Sequence, residues 1–117
     1  MNKIYHLSSC STCVRIIKEL DVDDRFELQN LKEKNISAKA LDELAKVAGS
    51  YEALLNKRAM KYRSMGIKDQ NLADKEYRQL ILDEYTFLKR PIVIVEGEAF
   101  IGNAKKVVAA AKEKLAK

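Results

Sequence analysis

The sequence has few of the residues that mark specialised chains. Among its 117 residues there is no Trp, one Pro and four Gly, and aromatic residues make up 7%. These counts exclude collagen-like and low-complexity chains, and they predict a mainly aliphatic core. No apolar run reaches the roughly 20 residues of a membrane-spanning helix. The N-terminal residues also turn polar too early for a signal peptide, so we expect a cytoplasmic protein with no membrane partner.

The overall composition is that of a folded chain. Hydrophobic residues make up 47% and charged residues 33%, which predicts one globular domain over residues 1–117. The net charge is +5, from 22 basic and 17 acidic residues. Because the two signs are mixed along the chain, we expect a solvated surface, with an anionic partner as the alternative. The densest basic cluster comprises Lys57, Arg58, Lys61 and Arg63.

Two cysteines, Cys10 and Cys13, form the motif Cys-Ser-Thr-Cys. A reducing cytosol disfavours a structural disulfide between them. A structural zinc ion usually takes four ligands, and His6 is the only other soft ligand in the chain. We therefore predict no metal site. Redox chemistry is the leading interpretation of this spacing.

The hydrophobic pattern predicts strands at both ends of the chain and helices between them. The predicted N-caps are Ser11 or Thr12, Ser37 and Asn103. The predicted elements are a strand over 2–7, a helix over 13–20, a strand over 25–29, a helix over 38–48 ended by Gly49, a short helix over 52–56, a helix over 74–85, strands over 92–95 and 99–101, and a helix over 104–115. This β-α-β, helical, β-β-α order predicts an α/β thioredoxin-like mixed sheet with a helical insertion at about residues 36–86.

Cys10 lies between a predicted strand and a predicted helix. A thiolate at that position faces unpaired backbone N–H groups and the positive end of the helix dipole, which lower the pKa of a cysteine. Cys13, one turn further on, is close enough to attack a mixed disulfide on Cys10 and release the reduced product. We therefore predict Cys10 as the nucleophile and Cys13 as the resolving thiol, against the alternative of two incidental thiols.

Pro91, the single proline, opens the aliphatic strand over 92–95. A cis peptide bond before Pro91 would aim Arg90 toward Cys10. There a guanidinium stabilises a thiolate, or binds a tetrahedral oxyanion through its planar fork. The alternative for Arg90 is an ordinary surface position.

Four further residues are candidates for supporting roles. His6 precedes Cys10 by four positions; it either donates to the thiolate, orients the loop, or is simply structural. Ser11 and Thr12 are expected to shape the loop and cap the helix rather than take part in the chemistry. Arg58, in the helical middle, is either a second anion-binding residue or a solvated charge.

Three segments together resemble the arsenate reductase (ArsC)/Spx family: 4–13 with its two cysteines, 54–58 (Leu-Leu-Asn-Lys-Arg), and 88–94 (Leu-Lys-Arg-Pro-Ile-Val-Ile). The resemblance implies a thioredoxin-like sheet with an inserted helical subdomain. It also implies a nucleophilic cysteine at Cys10 and an oxyanion-binding arginine at Arg90. With the strand context, it favours a cis peptide bond at Pro91. In glutaredoxin-linked members the thiolate attacks arsenate, and glutathione completes the reduction.

The sequence departs from those reductases at three positions. They generally have no cysteine at the position of Cys13, whereas Spx-like members have Cys-x-x-Cys. Their middle oxyanion arginine falls on Asn56, while Arg58 matches the Spx-like pattern. Their third arginine falls near Asn103. By this alignment Arg90 alone carries over from the three oxyanion arginines.

We therefore predict a thiol-based redox protein resembling arsenate reductase, with no bound cofactor. The expected substrate is arsenate or a disulfide, and the expected reductant is glutathione with glutaredoxin, or thioredoxin. The alternative is an Spx-type redox-switched regulator that binds RNA polymerase. In that case the loop at Gly49 and Ser50 is the candidate contact.

Overall fold

The computed structural model describes residues 2–116 and has the predicted α/β class. The strands are β1 (Asn2–His6), β2 (Phe26–Asn30), β3 (Ile92–Val95) and β4 (Glu98–Ile101). The α-helices are α1 (Ser11–Leu20), α2 (Ala38–Ala48), α3 (Met60–Ser64), α4 (Asp74–Asp83) and α5 (Lys105–Leu115). Short 3₁₀ turns lie at Glu52–Leu54, Ile67–Asp69 and Tyr85–Phe87. The predicted β-α-β, helical, β-β-α order is confirmed.

The chain divides into two compact units. The first joins Met1–Lys34 and Arg90–Lys117, and the second is Asn35–Lys89. The first unit contains the sheet with α1 and α5, and the second contains α2, α3 and α4. The single domain over 1–117 stays a prediction. Within the described residues, no helix is both long enough and apolar enough to cross a membrane.

The sheet of the first unit has the strand order β2-β1-β3-β4. β1 runs parallel to β2 and antiparallel to β3, and β3 and β4 form an antiparallel hairpin. Glu96 and Gly97 link this hairpin with positive φ angles of 48° and 83°, as a two-residue type I′ turn requires at both central positions. This local geometry explains why Gly97 suits the turn.

The core of the first unit is mainly aliphatic, as the composition predicts. Its buried residues are Ile4, Ile16, Leu20, Phe26, Val93, Val95, Phe100, Val108 and Ala111. Cys13, Ile16 and Leu20 form the buried face of α1, with the three- and four-residue spacing of one helix face. Val14, an apolar residue of the same helix, is by contrast 53% exposed.

Four predicted helix and strand starts in this unit are wrong by one or two residues, among them that of β4, which begins at Glu98 rather than at residue 99. α1 begins at Ser11 rather than at residue 13, and its N-cap is Cys10 rather than Ser11 or Thr12. The N-cap of α5 is Ala104, not Asn103. β2 begins at Phe26 rather than at residue 25. In each case the backbone adopts its regular conformation at a point that hydrophobic periodicity does not mark.

The second unit contains the predicted α2 with both predicted caps. The hydroxyl of Ser37 accepts a hydrogen bond from the N–H of Ala40 at 3.1 Å, and Gly49 ends the helix with φ 98°. α3 and the turn at Ile67–Asp69 lie between residues 57 and 73, where the hydrophobic pattern predicts no element. The predicted helix over 74–85 ends at Asp83, and a separate 3₁₀ turn follows it.

Main-chain bonds tie residues 54–56 to the C-terminal end of the second unit, residues 87–89. Leu55 and Leu88 form an isolated antiparallel bridge. Beside it, the N–H of Asn56 donates to the carbonyl of Phe87 at 2.6 Å, and the N–H of Lys89 donates to the carbonyl of Leu54 at 2.9 Å. The predicted short helix over 52–56 therefore ends at Leu54, because the next residues pair with the segment that precedes β3.

Candidate active site

The sheet brings three segments of the first unit to one end. Because β1 and β2 are parallel, His6 pairs with Asn30 where both strands finish. Because β1 and β3 are antiparallel, Tyr5 near the end of β1 pairs with Ile92 at the start of β3. The loop after β1 carries Cys10, and the residues just before β3 are Arg90 and Pro91. Strand register thus places the cysteine motif and the arginine at the same end of the sheet.

Cys10 forms the N-cap of α1, in extended conformation (φ −90°, ψ 110°). Burial raises the pKa of its thiol, but four favourable interactions outweigh burial, and the net pKa is lowered. Among these interactions the backbone N–H of Cys13 lowers the pKa the most, followed by the Cys13 side chain, the charge of Arg90 and the backbone N–H of Thr12. Cys10 is partly exposed.

Cys13 lies one turn into α1 on its buried face and is 0% exposed. Burial, with a smaller contribution from Cys10, raises the pKa of this thiol to about 11. Both cysteines are free thiols. The pair therefore combines a sulfur with a lowered pKa at the helix end with a buried sulfur whose pKa is raised.

Arg90 and Pro91 connect the second unit to β3. The peptide bond between them is cis, and Pro91 is buried. The carbonyl of Pro91 accepts a hydrogen bond from the N–H of Gly102 at 3.0 Å, which ties this segment to the end of β4. Arg90 is partly buried, and its charge acts on both cysteines, lowering the pKa of each.

The supporting residues occupy different positions. Thr12 acts on Cys10 through its backbone N–H, whereas Ser11 is the exposed first residue of α1. Burial lowers the pKa of the His6 imidazole, and the negative charge of Glu33 partly offsets this effect. A contact of His6 with the thiolate stays a prediction.

Arg58 belongs to the second unit, where it is exposed and its backbone N–H donates to Oδ1 of Asn56 at 3.1 Å. Two other members of the basic cluster pair with acids, Lys57 with Glu52 and Lys61 with Glu84. The pairing favours the solvated interpretation of that cluster. A role of Arg58 in the site stays a prediction.

Sequence reasoning missed Asn30, the last residue of β2. Its side-chain amide donates to the hydroxyl of Ser8 at 2.9 Å, and its carbonyl oxygen accepts from the N–H of Ser8 at 3.4 Å. No pattern in the sequence links positions 8 and 30, because the contact depends on the parallel pairing of β1 and β2. The one available signal is that Asn30 is a polar residue at the end of a predicted strand.

The combination of a β-α-β unit, a β-hairpin in the same sheet and a thiol at the first helix N-terminus defines a thioredoxin-like protein. The ArsC family model matches residues 5–111. The chain therefore belongs to the ArsC family.

Similar proteins agree with this assignment. The uncharacterized protein YfgD of Escherichia coli is 30% identical over 105 residues, covering 86% of this chain and 87% of the relative. An uncharacterized protein of Haemophilus influenzae is 28% identical, covering 95% and 98%. The structure of an arsenate reductase from Vibrio cholerae superposes with a TM-score of 0.75 at 22% identity, covering 94% and 96%. That likeness shows the shared fold.

Proposed function

We propose that this protein is a thiol-based redox enzyme resembling arsenate reductase, with Cys10 as the nucleophile and Cys13 as the resolving thiol. One observation carries the proposal: Cys10 caps the N-terminus of α1, and Cys13 lies buried one turn further on. The pKa shifts agree with this geometry, since the pKa of Cys10 is lowered and that of Cys13 is raised to about 11. The first sulfur is thereby prepared to attack, and the second is held back as a neutral thiol until an intermediate forms on Cys10.

With a disulfide substrate, the Cys10 thiolate attacks one sulfur and expels the other as a thiolate. Cys13 then loses its proton and attacks the sulfur of Cys10. The bond between Cys10 and the substrate breaks, the substrate leaves fully reduced, and the cysteine pair becomes a disulfide. An external dithiol or two glutathione molecules then reduce that disulfide, so the two electrons come from the reductant.

With arsenate, Cys10 displaces one oxygen as water to form a sulfur–arsenic bond. A second thiol attacks the sulfur of Cys10, and arsenic leaves as arsenite with two more electrons. Arg90 supports this substrate, since a guanidinium can hold a tetrahedral oxyanion through two parallel bonds. The name of the Vibrio cholerae protein supports the same oxyanion. Cys13 serves as the second thiol, and glutathione with glutaredoxin, or thioredoxin, then reduces the disulfide between Cys10 and Cys13.

Reduction of arsenate and of a small disulfide, each with glutathione and glutaredoxin and separately with thioredoxin, tests the proposal. We expect turnover with at least one pair of substrate and reductant, no turnover by Cys10→Ser, and trapped adduct on Cys10 in Cys13→Ser. Mild oxidation of the wild type should give an intramolecular disulfide, seen by intact mass after alkylation. Two freely alkylated thiols after oxidation would count against the paired roles.

The Spx-type regulator stays a prediction, and a pull-down with RNA polymerase tests it. Polymerase binding that depends on the redox state of Cys10, together with no turnover of any substrate, would replace the enzyme proposal.

A further inference from the structure

The loop that delivers Cys10 to α1 is a tight turn held at its base. The N–H of Cys10 donates to the carbonyl of Leu7 at 2.9 Å, and the N–H of Val14 then donates to the carbonyl of Cys10 at 3.1 Å. Ser8 and Ser9 are the two central residues of this turn. Any movement of Ser8 therefore changes the direction in which the chain enters the helix at Cys10.

Asn30 holds Ser8 through both groups of its side-chain amide. Its Nδ2 donates to Oγ of Ser8 at 2.9 Å, and its Oδ1 accepts from the backbone N–H of Ser8 at 3.4 Å. The same amide is fixed on its other side, because Oδ1 accepts from the N–H of Lys32 at 3.3 Å and Nδ2 donates to Oε1 of Glu33 at 3.3 Å. Two hydrogen bonds thus connect the end of β2 to the cysteine turn, and two more hold the Asn30 amide itself in place.

The backbone around Asn30 is itself fixed. His6 pairs with Asn30 in the sheet, and the carbonyl of His6 accepts from the N–H of Leu31 at 2.8 Å. The carbonyl of Asn30 accepts from the N–H groups of Glu33 and Lys34, each at 3.0 Å. Because its backbone is fixed in this way, the side chain of Asn30 can hold Ser8 in a defined position. A side chain on an unsupported loop could not do so.

We propose that Asn30 is a positioning residue for Cys10: by clamping Ser8, it orients the turn so that the Cys10 sulfur faces the first N–H groups of α1. The inference rests on the proposed role of Cys10 as nucleophile. Asn suits the position because the clamp needs a donor and an acceptor on one side chain. Asp lacks the donor and would place a second carboxylate beside Glu33, and an aliphatic residue lacks both groups.

The experiment follows alkylation of Cys10 by iodoacetamide from about pH 5 to 9, with peptide mass spectrometry to separate Cys10 from Cys13. Asn30→Ala, Ser8→Ala, Ser8→Thr and the double variant are compared with the wild type. Gln29→Ala is the matched control: Gln29 neighbours Asn30 on β2, and its Nε2 donates to the carbonyl of Lys34 at 2.9 Å. Urea unfolding of each protein reports any loss of stability separately.

We expect Asn30→Ala to slow alkylation of Cys10 near pH 6 by about three- to tenfold and to move its pH profile to higher pH, since tenfold corresponds to one pKa unit. Ser8→Ala removes one of the two bonds to the clamp and should have a smaller effect. Ser8→Thr, which keeps the hydroxyl, should alkylate Cys10 at the wild-type rate. The double variant should match Asn30→Ala, because the two residues act through one contact.

The outcomes separate this inference from the proposed function. An unperturbed Cys10 titration in the wild type overturns the nucleophile assignment and the positioning role with it. A low wild-type pKa that Asn30→Ala and Ser8→Ala leave unchanged overturns the positioning role alone. If Asn30→Ala does not fold, Ser8→Ala and Ser8→Thr decide by the same criterion. Equal shifts in Gln29→Ala and Asn30→Ala would assign the effect to a general loosening of β2, against the clamp.

Discussion

Cys10 and Cys13 are chemically identical side chains one helical turn apart, and their environments differ in two respects. Cys10 sits at the N-cap, where backbone N–H groups and Arg90 favour a negative sulfur strongly enough to overcome burial. Cys13 lies on the buried face of the same helix, where burial disfavours a charge. Helix geometry therefore supports the proposed division of roles between nucleophile and resolving thiol.

Arg90 is the residue whose replacement separates charge from shape at the site. Arg90→Ala should slow alkylation of Cys10 near pH 6 by about three- to tenfold, because a full positive charge that favours the thiolate is lost. Arg90→Lys should restore most of this rate, since the charge returns. It should restore less affinity for arsenate or sulfate, since the planar fork does not return. The rate of Cys10 alkylation near pH 6 measures the effect on the thiolate, and titration with arsenate or sulfate measures the effect on anion affinity.

Arg25→Ala is the charge-matched control for this prediction. Arg25 is an exposed arginine whose Nη2 lies 3.0 Å from a carboxylate oxygen of Asp23, so its removal changes the net charge equally. Cys10 alkylation in Arg25→Ala should equal that of the wild type. An Arg90→Ala protein that behaves like this control would remove Arg90 from the site.

At the residue scale, local signals predicted more than distant ones. The position of Cys10 before a helix follows from neighbouring residues, because the strand, the loop and the apolar helix face are contiguous in sequence. The exact N-cap was misassigned, since Ser11 and Thr12 have the stronger N-cap preference while Cys10 takes the position. Asn30 could not be predicted, because its partner Ser8 lies 22 residues away across a strand pair.

At the scale of single elements, α2 offers the clearest test of a predicted cap. Ser37→Ala removes the hydroxyl that accepts from the N–H of Ala40, and should lower the free energy of unfolding by about 1 kcal/mol. Urea unfolding near pH 7 measures the change. Ser64→Ala, at the C-terminal end of α3, is the control and should cost less than about 0.5 kcal/mol. Equal losses would contradict a specific role of the cap.

A second element-scale prediction concerns the link between α2 and α4. Asp42 on α2 accepts hydrogen bonds from Nε of Arg78 on α4 at 2.8 Å and from the hydroxyl of Tyr51 at 2.6 Å. Arg78 foremost, and then Tyr51, lowers the pKa of this carboxyl. Asp42→Asn should therefore lower the urea midpoint near pH 7.

The pH dependence of this effect has a definite sign. A lowered pKa in the folded state means that the stabilisation is complete above the ordinary value of 3.8 and is lost as the pH falls through the lowered value. The midpoints of wild type and Asp42→Asn should therefore converge in acid. Asp83→Asn, whose carboxylate accepts from Gln79 on its own helix, should have a smaller effect near pH 7. A constant difference at every pH would exclude the charged link.

The elements differ in how well hydrophobic periodicity predicts them. α2 was predicted correctly with both caps because Ser37 and Gly49 have strong intrinsic preferences at those positions. β3 was predicted because Ile92–Val95 is an unbroken β-branched run. α3 was missed because none of its residues is buried, and periodicity reports burial rather than helix geometry.

At the scale of the whole molecule, the hydrophobic pattern predicted the order of the elements. The pairing of the strands could be predicted only from the resemblance to the ArsC/Spx family. Periodicity gives β-α-β and β-β-α segments, but it does not state that β1 lies between β2 and β3. That arrangement brings the Cys10 loop, Arg90 and Asn30 to one end of the sheet. The site is thus a consequence of topology, and the sequence alone supplies its members without their juxtaposition.

The last prediction concerns the stability of the fold at high pH and depends on Cys13. Burial, and to a smaller extent Cys10, raises the pKa of this thiol from 9.0 to about 11. Between those values the unfolded chain loses a proton that the folded chain keeps, so the free energy of unfolding falls as the pH rises. The full fall attributable to Cys13 is about 2–3 kcal/mol.

Urea unfolding under reducing conditions across this pH range, on wild type and Cys13→Ala, measures that contribution. Cys13→Ala should be less stable than wild type near pH 8, because a buried side chain is shortened, and the difference should shrink as the pH approaches 11. Cys10→Ala is the control: it keeps the burial of Cys13, the largest cause of the raised pKa, and should still lose stability over this range. Parallel curves for wild type and Cys13→Ala would mean that Cys13 ionises as freely in the fold as in the unfolded chain, which would contradict the raised pKa of this thiol.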